Sequence, residues 1–494
     1  EQWVIRPEPG KTLDKTSEKE RAGAGKASEP REPGKKQTAE EEAGGPVLEL
    51  TLDKALEIAF AKNRDYLSRT ESLYQQGLGL SLARFNFGPR LSSTVSMVWN
   101  DSELGRESYG ASGNVGASQI LPTGGSLSLA ADISNGFTRG DPDHLYATGL
   151  SARLTQPLLR GAGYEVSHEA LTQAERSLVY AIRSFELFRE SFAIQIASAY
   201  FDLISRRETL SNEERNYDQA LFDRKKAEGL YEVDRNTETE VFRARRFEIE
   251  AENSLIDQQS QFDDAKDRFK IQLGLPTSTR IRIVPVEPEV ERVDIDLESA
   301  VEAAKHNRLD IHTQREQLED TRRALRIARD ALLPDLSLSL GYSLSGAGSR
   351  LHAADPKDWS SSVSLALEIP IQQKPERNRY RNALIALDQA ERSFSLTLDN
   401  LELDIRNQLR NLKSLEKRID IQIGQIPQDE RAVKVTEIRY HAGTLDNRDL
   451  LEARQALIDR KNALIRQKVS HFIGRLRLMR SLGLLFIDEN GMWR

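Results

Sequence analysis

The chain contains no cysteine. That single absence excludes disulfides, thiolate metal sites, thiol catalysis and a lipid-modified N-terminal cysteine. Aromatic residues are scarce, 6% of 494, against 38% hydrophobic and 30% charged residues. Such a balance suits long solvated helices better than a dense mixed core. No segment reaches the run of about 18 to 20 apolar residues that a membrane-spanning helix needs. The nearest, residues 192–204, is interrupted by Gln195 and Asp202. Any passage through a bilayer would have to be made by strands. Glu1 opens a polar stretch without the apolar centre of a secretion signal, so an exported protein is expected here in its mature or a trimmed form. The net charge of −7 is mild and its signs alternate along helical stretches, which gives no basic face for nucleic acid. The seven histidines are scattered, and His306 and His312 read as solvent-facing helix residues. Neither metal, cofactor nor catalysis is expected. Gly10-Lys11-Thr12 looks like the end of a phosphate-binding loop, but Ile5 stands where the first glycine is required.

What the chain does have is an internal duplication. Leu50-Thr51-Leu52-Asp53-Lys54-Ala55-Leu56-Glu57 aligns with Ile295-Asp296-Leu297-Glu298-Ser299-Ala300-Val301-Glu302, and the same offset of 245 carries Pro89 onto Pro334. Gln173-Ala174-Glu175-Arg176-Ser177 recurs as Gln389-Ala390-Glu391-Arg392-Ser393. Tyr231 to Leu275 aligns with Tyr440 to Leu484, ending in Leu273-Gly274-Leu275 and Leu482-Gly483-Leu484. The offsets shrink along the chain, so one unit is used twice and the first copy carries extra residues in its middle.

The organisation predicted from these blocks begins with a disordered, Lys-, Glu-, Gly- and Pro-rich extension over 1–47. Repeat 1 covers 48–275, with helices over 52–87, strands and loops over 89–158, a long helix over 163–228 and a return helix over 237–273. A linker, 276–292, leads to repeat 2 over 293–484, with helices 297–333, strands 334–372, a long helix 376–441 and a return helix 446–482. A tail, 485–494, follows. Thr51 and Asp296 are the expected N-caps of the first helices. In the strand regions the period falls from 3.6 to 2: Leu91, Val95, Met97 and Trp99 alternate with Ser92, Thr94 and Ser96, and Leu336, Leu338, Leu340 and Tyr342 with Ser337, Ser339 and Gly341. Each long helix would run about 100 Å, with heptad-spaced Leu171, Leu178, Phe185 and Phe192 marking a supercoiled seam. Pro427 within the second long helix predicts a bend.

Four alternating strands cannot close a barrel alone, and an open edge is not tolerated in lipid. Several chains are required; three would give twelve strands. Trp99, Tyr109, Tyr146, Tyr342 and Trp359 fall at strand ends or adjoining loops, as an aromatic belt would. A soluble sandwich on a coiled-coil rod remains open as an alternative. The extra pair in the first copy, 115–121 and 126–133 around Pro122-Thr123-Gly124-Gly125, reads as an external loop in preference to two further strands.

The block Leu50 to Asn63, the Gln156-Pro157-Leu158-Leu159-Arg160-Gly161 exit, and Arg439-Tyr440-His441-Ala442-Gly443-Thr444 followed by Asp449-Leu450-Leu451-Glu452-Ala453 resemble the TolC outer-membrane efflux protein family. The resemblance covers nearly everything after residue 47. It implies an α+β membrane protein: a homotrimer with a twelve-stranded transmembrane β-barrel, four strands per protomer, continuous with a long α-helical coiled-coil barrel in the periplasm, and an equatorial belt formed by the short helices and chain ends. It implies no enzyme but a channel-tunnel that exports solutes, within a tripartite efflux or type I secretion system. A periplasmic adaptor protein, an inner-membrane transporter and outer-membrane lipid are the implied partners. Asp449 and Glu452 fall on the family's pore-constriction positions, where three copies of each would draw cations. Tyr440 and Glu240 match latch positions at the closed tip; Leu445 stands where the family has its basic latch residue, so that salt bridge is either absent or transferred to Arg448. Gly443, Thr444 and Leu445, with Asp234 and Arg235 in the first repeat, fall on the adaptor-contacting turns. The reading without a pore is a periplasmic coiled-coil scaffold.

Overall fold

The computed structural model describes residues 47–494 except 102–106, 139–144, 236, 287, 352–354, 443, 446, 490 and 494. The predicted extension over 1–47 therefore lies outside the described residues but for Val47. Each repeat opens with two helices. α1 (Leu52–Lys62) and α2 (Arg64–Phe87) begin repeat 1, where the Thr51 hydroxyl accepts from the Lys54 amide and the Asn63 side chain from the Tyr66 amide. These caps satisfy amides that the first helical turn leaves unpaired. Their counterparts are α6 (Leu297–Asn307), capped by Asp296, and α7 (Leu309–Asp330). The long helices are α4 (Glu169–Glu232), preceded by the single turn α3 (Tyr164–Ser167), and α8 (Lys374–His441). Their returns are α5 (Glu238–Gln272) and α9 (Asn447–Leu482). α8 continues through Pro427 without ending, although proline there removes one backbone hydrogen bond.

Both return helices stop in the same way. Gly274 and Gly483 take φ of 73° and 69°. The next residues, Leu275 and Leu484, donate to the carbonyls of Lys270 and Met479 at 2.8 and 2.9 Å. That is the left-handed stop glycine permits. Each glycine is also pressed against the α1–α2 or α6–α7 junction. A Cβ on Gly274 would lie 2.2 Å from the Lys62 carbonyl oxygen, and one on Gly483 2.8 Å from Asn307.

Two buried cores occupy matching places in the repeats. The first gathers Leu56, Phe60, Phe192, Ile196, Tyr200, Leu203, Phe269 and Leu273; the second holds Val301, Ala304, Leu401, Ile405, Leu409, Leu412, Leu478 and Leu482. The first is larger because other pieces of chain are drawn into it. β1 (Leu48–Leu50) pairs in parallel with β6 (Ile281–Ile283), and the Tyr200 hydroxyl donates to the Val284 carbonyl at 2.6 Å. Leu485, Ile487, Met492 and Trp493 fold back onto the same core. β6 of the linker and the tail thus gather around the middle of α4, where the resemblance implies a belt of short helices and chain ends. Where α4 of repeat 1 meets α9 of repeat 2, burial pushes the Glu190 carboxyl up to about 7, against the pull of Arg480.

The sheet departs from expectation. It holds six antiparallel strands in the order β2 (Arg90–Asn100), β3 (Ser108–Ile120), β4 (Ser126–Thr138), β5 (Leu145–Pro157), β7 (Asp335–Gly348) and β8 (Asp358–Glu368). The four strands per protomer expected are corrected: the first repeat supplies four strands by itself. The extra pair is no external loop, because β3 bonds to β2 and β4 along its length and β4 bonds on to β5. Its turn is also fastened at the helical end. Gly163 donates its amide to the Thr123 carbonyl at 2.9 Å, and the Thr123 hydroxyl donates to Gln156 Oε1 at 2.6 Å.

One face of the sheet is apolar and the other is lined by small hydroxyl residues. In register, Val95, Gly113, Ile133 and Thr148 lie on one side while Ser96, Ser112, Ser134 and Ala147 lie on the other. Cross-strand hydroxyl contacts run along the polar face, Ser96 to Ser112 at 2.6 Å and Ser343 to Ser360 at 2.8 Å. Trp99 faces Tyr109, and Tyr109 faces Phe137, at the end remote from the helices.

The glycine stops give a paired prediction. Gly274→Ala must place a Cβ at positive φ and inside van der Waals distance of Lys62, at a cost of about 2–4 kcal/mol. Gly229→Ala, inside α4 with open space around it, gains up to about 1 kcal/mol. Thermal unfolding should show the first melting several degrees lower than the parent and the second no lower.

Candidate functional site at the helical tip

The tip is built from the ends of α4 and α8 and the starts of α5 and α9. Both turns close with one bond pattern: Arg235 donates its amide to the Leu230 carbonyl at 2.9 Å, and Thr444 to the Arg439 carbonyl at 3.0 Å. Asp234 takes φ of 55° in the first turn, which a short polar side chain tolerates better than most. Its counterpart Gly443 lies outside the described residues. Arg235 and Thr444 are exposed and Leu445 is half-buried. The Thr444 hydroxyl donates to the Arg439 carbonyl at 3.0 Å, so this side chain serves the turn itself.

Asp449 and Glu452 sit in the first turns of α9, both exposed on the isolated chain, with buried Leu450 between them. Their spacing of three puts them on one helix face. Arg448 pairs with Glu452 at 2.7 Å, and does not reach across to Glu240. Glu240 pairs with Arg243 at 2.7 Å near the start of its own helix. Tyr440 is half-buried with Lys226 5.5 Å from its ring centroid. Burial, then the charges of Asp223 and Glu240, raise the Tyr440 hydroxyl above the usual phenol range, while Arg454 opposes them. Of the three expected latch residues, Tyr440 and Glu240 are thus electrostatically linked, and Arg448 belongs with Glu452.

The interaction that ties the tip together involves residues the sequence did not single out. Arg454 of α9 reaches Asp223 of α4 through one guanidinium nitrogen and Glu437 of α8 through another, the second at 3.2 Å. Gln219 supports Asp223 from one turn earlier, at 3.1 Å. Asp223 and Arg454 are 9% and 15% exposed, so the pair is largely removed from water, unlike Arg448 and Glu452 at 74% and 61%. Asp223 and Arg454 stand 231 positions apart, which no local pattern links. One signal was present: Asp223 falls on the inward face of α4, where the second copy has Ala432.

Removing the cation should leave Asp223 buried and uncompensated, at a cost of about 3 kcal/mol. Arg454→Met is therefore expected to lower the thermal midpoint clearly, and Arg448→Met to leave it unchanged. Equal effects would contradict the assignment of Arg454 as the fastening.

A model described as "Outer membrane efflux protein" matches residues 300–484, which is repeat 2 from α6 to the end of α9. Outer membrane protein TolC of Escherichia coli (strain K12) is 24% identical over 407 residues, spanning 75% of this chain and 76% of that protein. Among solved structures, CusC superposes with a TM-score of 0.68 at 15% identity, covering 90% of this chain and 95% of that one. The Campylobacter jejuni CmeC outer membrane channel gives 0.67 at 17% identity, covering 87% and 85%. The duplicated strand-and-helix fold, the order of its elements and these likenesses agree: the chain resembles the TolC-like outer membrane efflux proteins, with the match to their family model lying in repeat 2.

Proposed function

We propose that three copies of this chain close into one export channel, with the sheets forming a barrel in the outer membrane and the helices a tunnel in the periplasm. The observation that carries this reading is that the chain is open along both sides in a complementary way. β2 and β8 are the edge strands of the sheet, exposed along their whole lengths. The helices repeat the pattern, since α2 and α5 pack on α4 at one side while α8 packs on α7 and α9 at the other. α2 carries the exposed stripe Leu67, Tyr74, Leu78, Leu82 and Phe85, and α5 carries Phe242, Ile249 and Ile256 at heptad spacing. α8 answers with exposed Ile385, Leu396 and Leu403. An edge that differs from its opposite edge joins copies head to tail, and a closing rotation makes a ring. Unpaired strand edges and apolar stripes of this length are costly in lipid and in water alike.

In the ring, the tips of α4 and α8 lie at the end remote from the sheet. The turns at Asp234-Arg235 and Gly443-Thr444-Leu445 are then the surface offered to a periplasmic adaptor, and through it to an inner-membrane transporter. Tripartite efflux and type I secretion both use that arrangement. A pore-free scaffold is disfavoured by the serine-lined sheet face, which a coiled-coil spacer does not need.

Asp449 and Glu452 from three copies would place six carboxylates around the tunnel entrance. Their charges are unequal, because Arg448 already pairs with Glu452 within each chain. Asp449 is the freer anion and the stronger cation ligand. In planar bilayers, block of conductance by divalent cations should weaken greatly in Asp449→Ala, weaken less in Glu452→Ala, and strengthen in Arg448→Ala. Unchanged block in the double variant Asp449→Ala/Glu452→Ala would overturn the entrance assignment.

A further inference from the structure

The six-stranded sheet changes the dimensions of the exit. We propose that the outer-membrane duct of this protein is an eighteen-stranded barrel with a hydroxyl-lined wall, in which the hairpin of β3 and β4 forms full wall strands; this rests on the three-copy ring proposed above.

Four observations support the hairpin as wall. First, β2 and β5 are not neighbours, and every residue of β2 from Arg90 to Asn100 is paired with β3. A hairpin lifted out of the wall would leave both of those strands with open edges inside lipid. Second, β3, β4 and β5 are 13 residues each, a length that crosses a bilayer when tilted. Third, the two faces continue across the hairpin without a break. Ala111, Val115, Leu129 and Ile133 extend the apolar side, and Ser112, Asn114, Ser128 and Ser134 the polar side. Fourth, the turn between β3 and β4 is moulded to the chain beneath it. Gly124, at φ 89°, approaches so closely that a Cβ there would lie 2.5 Å from the Gly161 carbonyl oxygen. Gln156 Nε2 donates to the Thr123 carbonyl at 3.0 Å.

Three copies of six strands make eighteen. With strands about 4.8 Å apart and tilted about 40°, the backbone radius of a closed barrel is about 18 Å for eighteen strands and about 12 Å for twelve. Allowing about 5 Å of wall on each side, the free bore is about 26 Å against about 14 Å, so the larger duct has more than three times the cross-section. The helical tunnel does not widen with it. Only β2, β5, β7 and β8 continue into helices, whereas β3 and β4 turn back over 121–125. The duct therefore flares above the tunnel, and cargo size is limited by the helices alone. Its wall is chemically permissive too, since serine, threonine, glycine and alanine fill most polar-face positions, with Asp132 and Arg153 as charges in the body of the wall. The duct suits a bulky hydrated solute that makes no strong contact on the way out.

The absence of native cysteine makes a direct distance measurement clean. Ser361→Cys, on the apolar face of β8, is spin-labelled in the full chain in detergent, and distances between copies are read by pulsed electron paramagnetic resonance. The triangle of backbone positions has a side of about 31 Å for eighteen strands and about 21 Å for twelve, a difference of about 10 Å that label orientation preserves by symmetry. A second label site, Ser93→Cys on the same face of β2, serves if the first disturbs assembly. A trimer with the longer distance supports the proposal, as does shortening by about 10 Å when residues 101–144 are deleted. A trimer with the shorter distance in the undeleted chain overturns the wide duct and leaves the channel standing. A monomer at both label sites and in the parent protein overturns the three-copy ring itself.

Discussion

Backbone hydrogen bonding at the sheet edges is the constraint on which the rest of this molecule depends. Along β2 and β8 one row of amides and carbonyls has no partner within the sheet, and the lipid that suits the apolar face offers none. The helices repeat the condition in apolar form, with stripes on α2, α5 and α8 facing away from the chain's own cores. In the proposed ring a single copy is therefore half of an interface on each side. The fold is one segment of that ring, and a charged, aromatic-poor composition suits a chain that is mostly wall.

Duplication supplies that wall cheaply in sequence terms, and the places where the copies differ are where function enters. The two stop glycines, the Thr51 and Asp296 caps and the placement of the two cores correspond, so the scaffold has nearly twofold repetition within each chain. The tip does not. Asp223 has Ala432 as its counterpart, and Asp234 has Gly443. Arg454 exploits the first difference by binding an acid of repeat 1 and another of repeat 2, so the two halves are fastened to each other where the tunnel would narrow.

Much of this was legible in the sequence because it is periodic. Strand faces, heptads, caps at Thr51 and Asp296 and the Leu-Gly-Leu stops each depend on neighbours a few positions away. The hairpin was misread for an instructive reason. Its alternation was visible, but comparison with the shorter second copy argued for a loop, and only pairing with β2 and β5 reveals it as part of the sheet. The belt at the chain ends was implied by resemblance, but the pairing of β1 with β6 and the packing of the tail were hidden, because three-residue strands and a ten-residue tail carry no period. The Arg454–Asp223 contact joins helices from different repeats, and Arg448 found a nearer partner one turn along its own helix than the one expected across the tip.

The central claim is that the chain's two open sides are made for each other. Sedimentation of the purified protein with and without detergent tests it most directly. The account predicts a single detergent-dependent particle of about 167 kDa of protein, three times 55.8 kDa, that aggregates when detergent is withdrawn. A monodisperse 55.8 kDa monomer, stable in plain buffer, would contradict it.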